Sequence, residues 1–211
     1  MSEAALEDLR EEAKGCTRCP LYGPATQTVF GEGPVAARLM LIGEAPGDQE
    51  DRKGRPFVGP AGQLLENALA EVGIARGDAY LTNAVKHFKF EMKGRRRIHQ
   101  KPDPAEMKAC HVWLEREIDL VDPDLIVAMG ATAARAVFNR VVTIGKTRGR
   151  LHEVADGRKA FVTVHPSYLL RLPDEAAKAV EYARFLDELR QVRAFLEDGV
   201  VPERAAQTTL L

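Results

Sequence analysis

The chain has 211 residues, of which 45% are hydrophobic and 29% charged, and its formal net charge is −1. This composition is typical of a globular protein and excludes a transmembrane span, because no apolar run approaches the length that a bilayer requires. The acidic, amphipathic N-terminus lacks a secretion signal, and three cysteines argue against a disulfide framework; we therefore expect a cytoplasmic monomer without membrane contact.

Helices and strands alternate in the pattern of the sequence. Apolar residues at helical spacing predict helices at residues 3–14, 60–72, 104–120, 131–138 and 174–196. Short apolar runs predict strands at residues 38–42, 80–85, 124–129 and 161–164. Such alternation predicts an α/β fold with a mostly parallel four-stranded sheet and helices on both faces. We expect one domain over residues 1–198 and a flexible tail at 199–211.

A polar or glycine-rich segment follows each predicted strand. The first strand leads into GEAPG at residues 43–47, and the second ends near Asn83. The third leads into GAT at residues 130–132, and the fourth into HPS, which begins at His165. Ligands of open parallel sheets bind at the carboxyl ends of the strands, so we expect these segments to meet in one crevice.

Several residues near this crevice are suited to recognising a flat base. Asn83 offers both a donor and an acceptor, as an N–H between two carbonyls requires. Phe57, in a glycine- and proline-rich loop, can stack on a base, and His165 can donate to a carbonyl that gains negative charge. Each of these three residues also has a structural interpretation, in which Asn83 is a turn residue at the strand end, Phe57 fills the core and His165 is structural. Glu44, in the GEAPG turn, is in the same way interpretable as a surface acid.

Positive charge is concentrated in residues 86–101. Seven Lys or Arg and one acid give this segment a charge of +6, so the remaining chain must carry −7. Such a concentration indicates contact with a polyanion, and a solvated basic loop is the alternative. The cysteines form a separate pattern, a C-x-x-C pair at Cys16 and Cys19 and an isolated Cys110, which indicates a metal or a redox pair in a cytosolic protein.

Four motifs together resemble the iron–sulfur branch of the uracil-DNA glycosylase superfamily. GEAPG at 43–47, GRPFVGPAG at 54–62, TNAVK at 82–86 and HPS at 165–167 occur in that family's order, and the resemblance extends over residues 16–190. It implies a three-layer α/β/α sandwich that flips uracil out of uracil-containing DNA into a pocket. Within that pocket, Phe57 would stack on the base, Asn83 would read its edge and His165 would stabilise the leaving uracil anion. The resemblance also places Gly43 and Ala45 against the substrate and Ser167 against DNA.

The same branch binds a 4Fe–4S cluster through four cysteines. Cys16, Cys19 and Cys110 match three of those positions, and His87 stands at the fourth. The resemblance therefore implies a 4Fe–4S cluster with Cys₃His ligation, in which imidazole replaces one thiolate. His111 is a weaker substitute for His87. Zinc on the same ligands, or no metal, are the alternatives.

The basic segment resembles the X-type glycosylases of this superfamily. RRRIH at residues 95–99 matches a loop whose histidine becomes covalently joined to deoxyribose after uracil leaves, which implies that role for His99. Arg95, Arg96 and Arg97 would contact phosphates, and Glu44 would lie near the sugar. His99 merely contacting a phosphate is the alternative, and Ala45 stands where X-type members usually have Gln.

Three functions stay open at this point. The first is uracil excision followed by capture of the sugar through His99. The second is conventional excision with turnover, in which water captures the sugar. The third is a non-catalytic nucleic-acid-binding protein of the same fold, whose binding would depend on salt but not on uracil.

Overall fold

A computed structural model of the protein describes residues 2–154 and 156–199. Its helices are α1 (Glu3–Lys14), α2 (Asp48–Lys53), α3 (Pro60–Glu71), α4 (Pro104–Val121), α5 (Ala131–Phe138), α6 (Ile144–Thr147), α7 (Pro166–Leu170) and α8 (Glu175–Asp198). Its strands are β1 (Leu39–Gly43), β2 (Ala79–Asn83), β3 (Phe90–Lys93), β4 (Arg96–His99), β5 (Leu125–Met129), β6 (Leu151–Glu153) and β7 (Lys159–Thr163). Short 3₁₀ helices cover Pro20–Tyr22 and Arg76–Asp78.

The central sheet confirms the predicted fold class but not the predicted number of strands. Its order is β2-β1-β5-β7-β6, and the first four of these strands run parallel. The fifth strand, β6, pairs antiparallel with β7 at one edge. The prediction of four strands was wrong because β6 is three residues long, Leu-His-Glu, and has no apolar run to reveal it.

Helices cover both faces of the sheet because its inner strands are apolar on both faces. Met40 and Ile42 of β1 join the core beneath α1, α4 and α5, whereas Leu39 and Leu41 join the core beneath α3, α7 and α8. Strands buried on both sides are characteristic of parallel sheets. The predicted layers are thus present, and the carboxyl ends of β2, β1, β5 and β7 lie side by side.

The basic segment forms a β-hairpin rather than the loop that the sequence predicted. β3 and β4 pair antiparallel from Phe90 opposite His99 to Lys93 opposite Arg96. The two-residue turn between them begins at Gly94, whose φ of +62° suits a hairpin turn of the kind that takes glycine first. Because side chains alternate along a strand, Arg97 and His99 share one face of β4.

Two other expectations concern the C-terminal tail and contact with a membrane. Apart from Gly199, the predicted tail at 199–211 lies outside the described residues. Within the described part of the chain, no helix is long and apolar enough to cross a membrane.

Candidate active site

The crevice predicted at the strand ends lies where the chain order of the sheet reverses. β1 has β2 on one side and β5 on the other, and such a switch point is where open α/β sheets bind ligands. Glu44 directly follows β1, and Thr132 lies in the first turn of α5 after β5. The Thr132 hydroxyl donates a hydrogen bond to the Glu44 carboxylate across this gap.

Gly43 lies at the centre of the predicted base-binding residues. A β-carbon built at this position would lie 2.4 Å from Asn83 Oδ1, 2.7 Å from Phe57 Cζ and 3.3 Å from His165 Nε2. Only glycine therefore leaves the three side chains room to meet. The structure brings together these four residues, which the sequence places in four separate segments.

The hydrogen bonds of His165 determine which of its nitrogens carries the proton. Nδ1 accepts from the Ser167 backbone N–H at 3.2 Å and also contacts the Ser167 hydroxyl at 2.8 Å. Burial, with smaller contributions from His99 and Arg171, lowers the pKa of His165 to about 4. The ring is therefore neutral at pH 7, and Nε2–H points toward the space above Gly43 as a donor.

The loop that carries Phe57 is held in an uncommon backbone conformation. Phe57 has a φ of +55°, which a non-glycine residue adopts only where the surroundings enforce it. Gly62 allows this fold of the loop, since a β-carbon built there would lie 2.0 Å from the Phe57 carbonyl oxygen. The Phe57 and His165 rings are stacked with their centroids 6.2 Å apart.

Glu50 joins this loop to the GEAPG turn. Its buried carboxylate accepts from the backbone N–H groups of Gly47 at 3.1 Å, Val58 at 3.1 Å and Gly59 at 2.7 Å. A carboxylate that accepts several backbone hydrogen bonds is a strong local constraint. The sequence does not reveal the role of Glu50, because its setting, Asp-Gln-Glu-Asp, has the composition of an exposed helix.

Asn83 is fixed from below by a buried ion pair. The Lys86 ammonium donates to the Asn83 carbonyl at 2.8 Å and to the Thr82 hydroxyl at 2.7 Å, and it is paired with Glu117. The side chains of Lys86 and Glu117 are 1% and 0% exposed. The prediction that residues 86–101 face DNA is wrong for Lys86, because its ammonium lies inside the protein.

His99 and Glu44 face each other at the open side of the crevice. Their closest side-chain atoms, His99 Nε2 and Glu44 Oε1, lie 3.8 Å apart, and the His99 side chain is 41% exposed. Partial burial lowers the pKa of His99 from its ordinary value; Glu44 opposes this shift, and Arg171 adds to it. The neutral imidazole is therefore favoured beside the carboxylate. Ala45, the next residue after Glu44, packs against the core beneath α1, α4 and α5.

The three hairpin arginines have different surroundings. Arg97 pairs with Asp51 at 2.6 Å and with Asp48 at 2.5 Å, and its guanidinium lies over the rings of Phe88 and Phe90 at 5.2 and 5.1 Å. Arg95 and Arg96 are exposed, and neither has an ion-pair partner within residues 2–154 and 156–199. Arg97 thus attaches the hairpin to α2, whereas Arg95 and Arg96 are free to meet a phosphate.

Ser167 is engaged within the protein as well. Its hydroxyl accepts from Arg171 at 2.9 Å while it contacts His165 Nδ1. In this position it orients His165, and a contact with DNA stays a prediction.

The cysteines and His87 have the chemistry of a soft metal site. Cys16, Cys19 and Cys110 are buried free thiols, and burial raises the pKa of Cys110 to about 12. Trp113 Nε1–H donates to Cys16 Sγ at 3.1 Å, and the Lys86 backbone N–H donates to Cys110 Sγ at 3.2 Å. Such N–H donors suit thiolates, which form when a cation replaces the thiol proton.

The hydrogen bonds of His87 leave one ring nitrogen for a metal. The Thr28 hydroxyl donates to the Ala13 carbonyl at 3.0 Å, so it accepts from His87 Nε2–H, 3.0 Å away. The Nδ1 lone pair is then available, an arrangement that is common around metal-binding histidines. Within the described residues, however, no three His, Cys, Asp or Glu side chains lie at the spacing of a metal-ligand set. The donors fit the predicted group in kind, and their convergence stays a prediction.

Comparisons with known proteins agree with this arrangement of motifs. The sequence profile of the uracil DNA glycosylase superfamily matches residues 30–190. The chain is 39% identical to a type-4 uracil-DNA glycosylase of Thermotoga maritima, over 92% of this chain and 96% of that protein. It is 38% identical to a type-4 uracil-DNA glycosylase of Pyrobaculum aerophilum, over 80% of this chain and 86% of that protein. A type-5 uracil-DNA glycosylase of Thermus thermophilus is 35% identical over 61% of this chain and 63% of its own length.

Proposed function

This chain belongs to the uracil DNA glycosylase superfamily, and we propose that it excises uracil from DNA in the pocket around Gly43 and then captures the deoxyribose through His99. Uracil excision is the activity that the names of its relatives state. Capture of the sugar depends on the hairpin that carries His99. The observation that supports excision is the convergence of Asn83, Phe57 and His165 on Gly43. The observation that supports capture is the position of His99 opposite Glu44.

Base recognition uses the three side chains around Gly43. Phe57 stacks on the flipped uracil, and the Asn83 amide pairs with its N3–H and an adjacent carbonyl. His165 Nε2–H donates to the O2 carbonyl. When the bond between N1 and C1′ breaks, its electron pair leaves with uracil, and the neutral His165 donor stabilises the resulting anion.

The sugar that remains is an oxocarbenium ion with its positive charge shared by C1′ and the ring oxygen. The Glu44 carboxylate, held by Thr132, stabilises this charge. A neutral His99 nitrogen then donates its lone pair to C1′, which forms a C–N bond, and the alkylated ring loses its remaining N–H proton to water. A nucleophile already positioned near C1′ has the large effective molarity of an intramolecular reaction.

Conventional excision is the second candidate, and the type-4 relatives favour it. They are 35–39% identical to this chain, and Ala45 agrees with ordinary members of the branch. In this case water, oriented by Glu44, attacks C1′ and the protein turns over. The two candidates share every step up to departure of the base and differ only in the atom that captures C1′.

A 4Fe–4S cluster held by Cys16, Cys19, His87 and Cys110 would supply a structural crosslink between the N-terminal segment, the end of β2 and α4. We expect about four irons per chain and little zinc in protein purified without oxygen. Replacing Cys110 with Ser should remove the iron, whereas replacing His111 with Ala should not. Full iron content in the Cys110 variant would contradict this ligand set.

A denaturing gel of protein mixed with a uracil-containing oligonucleotide tests the proposal. We expect a complex that survives SDS and heat, absent with the matching thymine oligonucleotide and absent in His99→Ala. Ile98→Ala is the matched control, because it shortens the neighbouring side chain of the same strand and should keep the complex. Uracil release without any complex in the wild type would establish conventional excision, and binding without release would leave only a non-catalytic role.

A further inference from the structure

A groove beside the proposed active site carries charge that the proposed reaction does not use. Two adjoining cavities of about 270 and 300 Å³ lie between α4, α5 and the segment after α5. They share Pro104, Met107 and Arg135, so they form one continuous groove. Cavities of this size hold small ligands or parts of larger ones.

The described residues that line the groove include several cations and no acid. Its lining includes the cations Lys101, Lys108, Arg135 and Arg140, and no Asp or Glu is present among the described residues that line it. None of the four cations has an ion-pair partner in residues 2–154 and 156–199, although the chain as a whole is nearly neutral. On α8, by contrast, Arg184, Arg190 and Arg193 all pair with acids. Unpaired cations collected in one groove attract a polyanion.

The groove also has an apolar surface, which a simple anion would not need. Pro102, Met107 and Val142 lie in it, and Val141 is 74% exposed at its edge. A nucleic-acid strand presents both phosphates and flat bases, and protein grooves that bind single strands combine cations with side chains against which the bases stack, most often aromatic ones. The combination therefore fits a DNA strand better than it fits a free anion.

The groove is continuous with the site at which uracil is removed. Thr132 lines the groove and donates to Glu44, and Lys101 lies two residues after His99. We propose that the groove between α4 and α5 binds the DNA strand on one side of the flipped uridine, with Lys101 and Arg135 on the first phosphates. This subsite rests on the proposed function. The exposed turn with Arg95 and Arg96 is then left for the other side of the uridine.

Binding to single-stranded oligonucleotides of different lengths tests this subsite. The groove variant combines Lys101→Ala with Arg135→Ala. The control variant combines Lys178→Ala with Arg190→Ala, which removes the same amount of charge from α8 on the other face of the sheet. The probes carry a 2′-fluorinated deoxyuridine, whose glycosidic bond resists cleavage, in a full-length strand and in strands shortened on the 5′ or the 3′ side. Uracil release by the wild type from an ordinary deoxyuridine oligonucleotide is measured separately. This assay distinguishes failure of the proposed function from failure of the proposed subsite.

The groove variant should lower the slope of log affinity against log salt by about 1.4 on the full-length strand, at about 0.7 per phosphate contact. The difference from the wild type should vanish on one of the two shortened strands and persist on the other. The control variant should keep the wild-type slope. An unchanged slope in the groove variant, a difference that persists on both shortened strands, or an equal change in the control would overturn the proposal.

Discussion

Asn83 ends β2 and His165 follows β7, so the central sheet itself positions both, whereas His99 stands on a hairpin that Arg97 attaches to α2. The first region is fixed by the sheet, by the Lys86–Glu117 pair and by backbone hydrogen bonds. The second is held by two ion pairs and by the aromatic rings beneath Arg97. We infer that a rigid part of the fold reads the base, whereas the separately attached β3–β4 hairpin captures the sugar. The hairpin can therefore change in sequence or position without loss of the base pocket.

Asn83→Asp should have the largest effect, because it alters the rigid region without removing a contact from the core. The carboxylate has no donor for the uracil carbonyl, so kcat/KM for uracil should fall by roughly three orders of magnitude or more. Weak excision of cytosine is expected, since a carboxylate can accept from its amino group. Base release from matched uracil and cytosine oligonucleotides measures both, and unchanged uracil activity would show that Asn83 does not read the base.

Changes to the buried ion pair should separate stability from base recognition. Lys86→Met leaves the buried Glu117 carboxylate without its cation and should lower the free energy of unfolding by about 3–5 kcal/mol. The double change Lys86→Met with Glu117→Leu should recover part of that stability, because it removes the unpaired charge but also takes the acceptor from the Gly31 N–H and the Tyr80 hydroxyl. Uracil excision should stay low in the double variant, because the Asn83 carbonyl still lacks its donor.

The Arg148–Glu188 pair provides a matched control for this prediction. Its side chains are 6% and 0% exposed, and it contacts Thr163 rather than a pocket residue. The corresponding double replacement there should recover both stability and excision. If the Lys86→Met, Glu117→Leu variant also recovers excision, the Lys86–Glu117 pair has a purely structural role.

The two regions also differed in how far the sequence could predict them. The strand-end pocket was predictable because apolar runs locate parallel strands and chemistry collects at their carboxyl ends. Gly43, Asn83 and His165 followed from that rule, although the closeness of their contacts did not. Glu50 and Lys86 could not be identified, because a buried carboxylate and a buried ammonium look like surface charge in a sequence.

The hairpin was harder to predict, since its strands are short and rich in charge. Arginines at 95, 96 and 97 look equivalent in the sequence, and only the strand alternation assigns Arg97 to the face that meets Asp51. β6 escaped prediction for a related reason, because an edge strand does not need apolar residues on both faces.

Arg97→Ala should affect capture of the sugar more than removal of the base. Loss of the attachment to α2 lets β4 move away from Glu44, and a displacement of about 1 Å can reduce a positioned reaction by about 10²-fold. We expect a fall of that order in the rate of covalent complex formation, with uracil release reduced much less. Single-turnover assays of both products measure the ratio, with Arg95→Ala as the control from the same hairpin. Equal losses in both assays would show that the hairpin also builds the base pocket.

Arg95→Ala with Arg96→Ala should have the smallest effect and should act on binding alone. Both side chains are exposed and unpaired in the described structure, so their loss leaves the attachment by Arg97 and the position of His99 intact. Two lost phosphate contacts should lower the slope of log affinity against log salt by about 1.8 on duplex DNA. At saturating protein, the rates of uracil release and complex formation should match the wild type, because the bound geometry is unchanged. A lower rate at saturation would mean that the phosphate contacts themselves press His99 toward the sugar, and the hairpin would then depend on DNA, as well as on α2, for its active position.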